Sequence, residues 1–555
     1  MRAQNVPFAD VIKGNKQFII PVFQREYAWT ERQCEQLWRD IVRVGTSTDA
    51  RRHFIGSVVY THDAHSTMAF PRYLIIDGQQ RVTTLMLLLA ALRDCLRASE
   101  STVGDDVGWR TIERVFLKNQ GEEALEKQYR LRLRRGDDDV LRSVLDHKPM
   151  ESKDSLVDDN YRFFRERLTA ENAPVVYRGI ERLEAVDIPL EPGRDDPQLV
   201  FESMNSTGLE LSHLDLIRNF VLMGRSDSEQ TRLYECYWQH IDRLFRDNSQ
   251  AFDAFIRDYM VLHTGQTGWI REDDLYFEFR ELLRHDEAAR TIDGALASLL
   301  RYARISAAFL LCKEAPADLA AQLSRLAGLN RVVNILVLKL WVAAEDQGGA
   351  WQPVVGRALA LIESYLFRRA VCALQSRSYW QIVREVALRL DESAPLDSLK
   401  ARLALQGEAN RFPSDVEFER QLLDRDIYRF GNCHYCLERL ENHDTKEPSP
   451  TDTYSIEHVL PQNDDLCAEW RESLGPDWKA VQQVWVHRLG NLTFTAYNSE
   501  MKDKPFERKK TTKGGFNDSA VRLNAFLRTR LAWTSDDCPA STTIHHRRQL
   551  ELTIA

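Results

Sequence analysis

The hydrophobic pattern changes period abruptly in PRYLIIDGQQRVTTLMLLLAAL, residues 71–92. The apolar run from Tyr73 to Ile76 predicts a buried strand, and Val82 to Leu92 predicts a buried helix. Between them Asp77, Gly78, Gln79, Gln80 and Arg81 form a compact polar turn that places an acid, a base and two amides at one junction. Elsewhere in residues 1–225, QFIIPVFQ and HFIGSVVYTH read as strands and ERQCEQLWRDIVRV as an amphipathic helix. The charged stretch RLRLRRGDDDVLRSVLDHK interrupts this region and predicts an exposed excursion, after which AVDIPLEPG returns to a strand and a Pro/Gly turn, followed by two helices.

From 226 to 425 the pattern is almost wholly helical: LYECYWQHIDRLF, LASLLRYARISAAFLLC, VVNILVLKLWVAA and VVGRALALIESYLFRRAVCAL repeat apolar residues at three and four. No fixed repeat period accompanies them, so a solenoid is not supported. GNCHYCLERLEN reads as one more helix, and the Pro/Ser/Asp-rich break ENHDTKEPSPTDT leads into YSIEHVLPQN, a strand ended by Pro461. Two Trp-bearing helical pieces, a second strand in RLGNLTFTAYN and a basic run in KDKPFERKKTTKGG complete the pattern. The expected fold class is therefore α+β multidomain: an α/β part over 1–225, an all-helical connector over 226–425 and a smaller mixed domain over 426–555.

With 43% hydrophobic and 28% charged residues in 555, the composition is that of a globular protein. A net charge of −9 argues against a wholly basic nucleic-acid coat, while leaving room for a local basic patch. Nine scattered cysteines, an odd number in a long chain, predict a reducing, cytoplasmic setting rather than a disulfide framework. The N-terminus lacks the apolar core of a signal peptide, and runs such as LMLLLAAL fall short of the ~20 residues that span a bilayer, so no membrane association is expected.

The polar turn has a chemical use. A strand running through a tight turn into a helix leaves the first helical N–H groups pointing at the turn, where the helix dipole also favours an anion. Gly78 admits a ligand to the backbone, Arg81 can fork onto phosphate oxygens, and Asp77 can hold a hydrated Mg²⁺. A helix-capping Asp77 and a paired Arg81 would explain the same residues without a ligand, and no GxxxxGKS/T or GxGxxG element is present. Two further segments carry similar chemistry. IPVFQREYAW places Gln24, Arg25 and Glu26 at a strand end, and FESMNSTGLELSHLDLIRN places Asn205 and Gly208 before a helix with Asp215, Arg218 and Asn219.

IPVFQREYAW, HFIGSVV, IIDGQQRVTTL and FESMNSTGLELSHLDLIRN, in that order, resemble the N-terminal domain of GmrSD-type (type IV) restriction systems. The resemblance covers about residues 5–225 and implies a ParB/sulfiredoxin-like fold that couples NTP hydrolysis to nuclease control. It implies a nucleotide site at Asp77, Gly78, Gln79, Gln80 and Arg81, with Gln24, Arg25 and Asn205 as a second wall. No base-reading motif selects among the four NTPs.

In the C-terminal part, EHVLPQ, GNLT and the later Asn, KPF and KK resemble the HNH (ββα-metal) variant found at the C-terminus of the same family. Phosphodiester hydrolysis needs a base for water, which a neutral imidazole supplies, and a cation at the scissile phosphate. The resemblance implies His458 as base, Asn491 as its orienting group, and Asn498 with Glu457 on one Mg²⁺ or Mn²⁺. Asp is commoner before this His and His is common at the last position, so Glu457 and Asn498 depart from the usual pattern. The run 501–515, with six Lys/Arg against two acids, can contact phosphates. Cys433 and Cys436 lack a second CxxC, so packing is expected in place of zinc.

The expected function is NTP-dependent or NTP-regulated cleavage of DNA, by resemblance phage DNA with modified bases. Two rivals stand beside it: an NTP-gated DNA-binding or signalling module with an inactive finger, and an RNA-directed nuclease. A homo-oligomer is compatible with each.

Overall fold

In the computed structural model, residues 3–49, 51–120, 125–148, 155–191, 193–205, 212–285, 291–374, 377 and 379–537 are described. The period-two segments of the N-terminal part join in one six-stranded mixed sheet built from β1 (Gln4–Pro7), β2 (Gln17–Ile19), β3 (His53–His62), β4 (Arg72–Asp77), β5 (Leu131–Arg132) and β6 (Leu183–Leu190). The strand order is β1-β6-β3-β4-β2-β5. β3 runs antiparallel to β4 but parallel to β6, and β2 lies parallel to both β4 and β5. Helix Gln79–Ser99 follows β4 directly, and its residues from Leu85 to Leu92 are all at most 1% exposed. A helix apolar on every side has no solvent face and sits at the centre of the core, as TLMLLLAAL demands.

Two glycines set how closely helices Glu31–Thr46 and Ala173–Glu181 cross. A Cβ on Gly45 would lie 2.0 Å from the Val175 carbonyl oxygen, and one on Gly179 would lie 2.2 Å from that of Ile41. The two backbones touch because neither glycine carries a side chain.

The charged stretch at 130–148 is not an exposed excursion. It supplies the edge strand β5 and helix Arg135–Asp146, with Leu131, Leu141 and Leu145 at most 1% exposed. Its charges neutralise one another: Asp138 accepts from Arg132 at 3.0 Å and pairs with Arg142 at 2.8 Å. The fully buried Arg93 donates to the carbonyls of Leu145 and Val144 at 2.9 and 3.3 Å, tying this helix to the core.

The chain divides into two compact units. One comprises Met1–Asp253 with Ile270–Leu300, the other Ala254–Trp269 with Arg301–Ala555. The residues expected to form the connector are divided between the two units. Phe367 and Val371, for example, pack with Phe418, Cys436 and Leu440 around the C-terminal hairpin. That hairpin is β7 (Ser455–His458) antiparallel to β8 (Leu492–Thr495), with Glu457 opposite Thr493 and His458 opposite Leu492. β7 ends at His458, before Pro461. A second cluster, centred on Leu460, Trp470, Met501, Phe516 and Trp533, packs the segments flanking the hairpin.

Helix Ile292–Leu311 is long and apolar enough to cross a membrane, a property it shares with buried core helices.

Substituting Gly179→Ala forces the crossing helices apart and is expected to cost about 1–3 kcal/mol or more, the usual range for overpacking a tight contact. Chemical denaturation followed by circular dichroism measures it, and an unchanged midpoint contradicts the backbone contact.

Candidate functional site

At the polar turn, Gly78 adopts φ +94° and caps helix Gln79–Ser99, and a Cβ there would lie 2.7 Å from the Ser57 carbonyl oxygen. Asp77 Oδ2 accepts from Ser57 Oγ at 3.1 Å and from Arg81 Nη2 at 3.0 Å, while Arg81 Nη1 donates to the Ile55 carbonyl at 3.1 Å. Gly56 makes room for this guanidinium, since a Cβ there would sit 1.7 Å from Arg81 Nη1.

The two glutamines act on the segment that precedes helix Glu31–Thr46. Gln80 Oε1 accepts from the backbone N–H of Ala28 at 2.9 Å and of Trp29 at 3.2 Å, and Gln80 Nε2 donates to the Glu26 carbonyl at 3.2 Å. Gln79 Nε2 donates to Gln24 Oε1 at 3.2 Å, and Gln24 Nε2 donates to the Ile76 carbonyl at 2.8 Å. Arg134 holds the Gln24 carbonyl at 2.8 Å and Arg218 holds that of Phe23 at 2.7 Å. The turn thus fixes residues 23–29 against the end of β4. Arg25 stands apart: half-buried, it makes no hydrogen bond or ion pair with the described residues. Asn205 ends helix Pro197–Asn205, but its side chain, like Gly208, lies outside the described residues. Beside Arg81 a cavity of about 250 Å³ is walled by Trp29, Leu37, Ile55 and Leu85, with Asp40 and His53 also lining it.

On the C-terminal hairpin, His458 closes β7 with its side chain 5% exposed. Its Nδ1 lies 3.0 Å from Gln462 Nε2, and its Nε2 lies 3.3 Å from His487 Nδ1. Tyr428 stacks on the His487 ring at an interplanar angle of 11° and meets the His458 ring edge-on at 4.3 Å. His487 was not singled out in the sequence. The signal is a second histidine directly upstream of GNLT, in VWVHRLGNLT.

The fully buried Asn491 makes its side-chain hydrogen bonds to backbone and none to the imidazole. Its Oδ1 accepts from the Leu460 N–H at 2.7 Å, and its Nδ2 donates to the carbonyls of Leu460 and Val486 at 3.0 and 2.9 Å. It fixes the backbone on both sides of the site, so any effect on His458 passes through the chain. Glu457 is engaged by Lys509, whose Nζ lies 2.6 Å from Glu457 Oε1 and 2.6 Å from the His458 carbonyl. Alternation along β7 directs Glu457 away from the His458 ring. Lys509 and Lys510 are buried, so within the basic run only Lys502, Lys504, Arg508 and Lys513 present exposed cations. Asn498 begins helix Asn498–Met501, is exposed, and donates to the Ile456 carbonyl at 3.3 Å.

Residues 8–222 match the GmrSD restriction endonuclease N-terminal domain, and residues 412–543 match the C-terminal domain of the GmrSD restriction endonucleases. The chain belongs to the GmrSD restriction endonuclease family. No curated protein matches it. The GmrSD assignment makes this a restriction nuclease acting on DNA.

Of the expected ion-holding residues in this GmrSD chain, Glu457 is paired with Lys509, Asn498 uses its Nδ2 on the Ile456 carbonyl and keeps its Oδ1 for a ligand, and no group of three His, Cys, Asp or Glu able to hold a metal occurs among the described residues. Cys433 and Cys436 are buried in the apolar cluster, and burial pushes the Cys433 thiol up to about 12.

Burial, then His487 and Lys509, pushes His458 down to about 3, so the imidazole is neutral throughout the physiological range. A depressed histidine makes the unfolded chain the stronger proton binder below its ordinary 6.5, so folding free energy falls as pH drops from 6.5 toward 3. His458→Gln is expected to flatten this dependence: between pH 6.5 and pH 4 its urea midpoint should fall less than that of the unsubstituted protein. Parallel slopes contradict the assignment.

Proposed function

We propose that this GmrSD protein is a cytoplasmic, NTP-regulated DNA endonuclease directed at foreign DNA, phage DNA with modified bases included, with His458 as the general base. The observation that carries the nuclease reading is a neutral imidazole at a strand end, held by a rigid frame of Asn491, Lys509 and the β7–β8 pair. A neutral ring nitrogen can take a proton from water as the oxygen attacks phosphorus, and a positioned base of this kind contributes roughly 10²–10⁴ in rate. The exposed Lys502, Lys504, Arg508 and Lys513 suit the phosphates of the same strand.

The nucleotide reading rests on the turn. Its helix N-terminus favours an anion, and Arg25 is a cation with no protein partner among the described residues. Because Arg81 is bonded to Asp77 and Ile55, Arg25 is the cleaner group to meet a triphosphate. The neighbouring cavity, with Trp29 in its wall, is the place for the base.

A gated DNA-binding module with an inactive finger is the second reading. It is favoured by one feature: both nitrogens of the His458 ring are engaged in the folded protein.

A supercoiled-plasmid assay decides between the two. It is run on plain and base-modified DNA, with and without each NTP, in Mg²⁺, in Mn²⁺ and in EDTA. His458→Ala is expected to lose cleavage by at least about 100-fold while retaining NTP turnover. Cleavage by His458→Ala at the original rate sinks the nuclease assignment, and absence of cleavage in every condition favours the binding module. Arg25→Ala is expected to raise the NTP KM about tenfold or more, as for loss of a charged hydrogen bond, with unchanged thermal stability. An unaltered KM removes Arg25 from the nucleotide site.

A further inference from the structure

The hydrogen bonds around His458 fix the direction of its protons. An amide nitrogen can only donate, so Gln462 Nε2 at 3.0 Å requires a lone pair on His458 Nδ1. In a neutral imidazole the other nitrogen then carries the hydrogen, and His458 Nε2 donates to His487 Nδ1 at 3.3 Å. His487 must accept there and carry its own hydrogen on Nε2. Its backbone is equally fixed, since its carbonyl accepts from the N–H groups of Ile427 and Tyr428 at 2.9 and 3.1 Å, and its ring stacks on Tyr428.

We propose that His487 is the positioning residue of the nuclease centre, holding His458 in the tautomer whose Nδ1 is the base, and that the Gln462 side chain is the gate that uncovers that nitrogen. This rests on the reading of His458 as the general base. Gln462 is exposed, and its amide N–H stands where the O–H of an attacking water would donate. When it swings away, water takes its place and gives a proton to Nδ1. The water oxygen bonds to phosphorus, the bond from phosphorus to the departing sugar oxygen breaks, and that oxygen is protonated by solvent. The imidazolium shares its Nε2–H with His487, then loses the Nδ1 proton to solvent and returns to the same tautomer.

The arrangement fails when His487 is protonated, because two N–H groups would then face each other. Burial lowers the His487 pKa from 6.5, with Asp426 opposing and Arg429 assisting, so an acid limb of cleavage is expected below pH 6.5. The other charged groups at this place are Asp424, Asp464 and Arg488, which line the same cavity of about 640 Å³ as His487 and Gln462, and Lys509 behind His458.

The test compares His487→Phe and His487→Asn in the full chain. Phe keeps a ring against Tyr428 but accepts nothing, and is expected to lower kcat for plasmid nicking at least about tenfold with the DNA KM unchanged. Asn accepts without titrating, and is expected to restore part of that rate and to lose the acid limb. Cleavage by His487→Phe at the original rate, with the original pH profile, overturns the proposal. Nitrogen-15 spectra of histidine-labelled, unsubstituted protein give an independent answer should either variant fail to fold. His458 protonated at Nε2 is expected, and protonation at Nδ1 overturns the proposal. If instead His458→Ala cleaves normally, it is the reading of His458 as base that fails.

Discussion

Lys509 lies 1% exposed between two acceptors, 2.6 Å from the Glu457 carboxylate and 2.6 Å from the His458 carbonyl. Taking an ammonium and a carboxylate out of water is costly, and burial lowers the lysine pKa and raises the glutamate's, while each partner opposes the shift in the other. Such a pair adds little net stability compared with apolar residues, but removing one member leaves the other buried alone, typically at about 3–5 kcal/mol. What it supplies here is geometry. It joins β7 to helix Phe506–Thr511 at the residue that carries the imidazole, and its charge helps keep that imidazole neutral. Asn491 does the corresponding work on the other side, with three hydrogen bonds to the backbone of Leu460 and Val486. His458 is thus placed from its chain outward, and its ring is left to Gln462, His487 and Tyr428.

The N-terminal turn follows a different rule. Its carboxylate bonds to Ser57 and Arg81, and its two amides fix the segment from Gln24 to Trp29. Three motifs far apart in sequence converge there: Gln79 and Gln80 from the turn, Arg134 from the edge of the sheet, and Arg218 from helix His213–Leu222. A loop held at both neighbours of Arg25 presents that side chain from a rigid base. A cation with no partner among the described residues, on a fixed loop beside a helix N-terminus, is pre-organised for an anion, because little ordering entropy remains to be lost on binding.

Sequence periodicity foretold β2, β3, β4 and β6, the buried helix after the turn and the hairpin, since each rests on spacing that burial explains, whereas β1 and β5 were not read as strands. The stretch at 130–148 misled because its charges hide an apolar stripe of Leu141, Val144 and Leu145 at helical spacing. Charges that pair locally do not keep a helix in water. The same confusion affected Lys509 and Lys510, which a count of basic residues assigns to solvent but which donate to Glu457 and to the Arg530 carbonyl. His487 escaped notice for another reason. It lies far from His458 in sequence and meets it only because β8 pairs with β7 and Asn491 clamps the intervening backbone. Motif residues are legible when their chemistry is their own, and illegible when it depends on a neighbour brought by the fold.

These two sites differ in readiness. On the loop beside the N-terminal turn a cation stands unengaged by the described residues, whereas at the hairpin both nitrogens of the His458 ring are taken. On the proposed reading, the folded nuclease centre is complete but latent, and the step between latency and action is small. Releasing one neutral amide hydrogen bond costs on the order of 1 kcal/mol, and Gln462, being exposed, recovers it from water. Breaking the Lys509 pair or the Asn491 clamp would cost several times more. A regulator of cleavage therefore needs to move only the Gln462 side chain, and the rigid frame behind His458 ensures that the base is already aimed when it does.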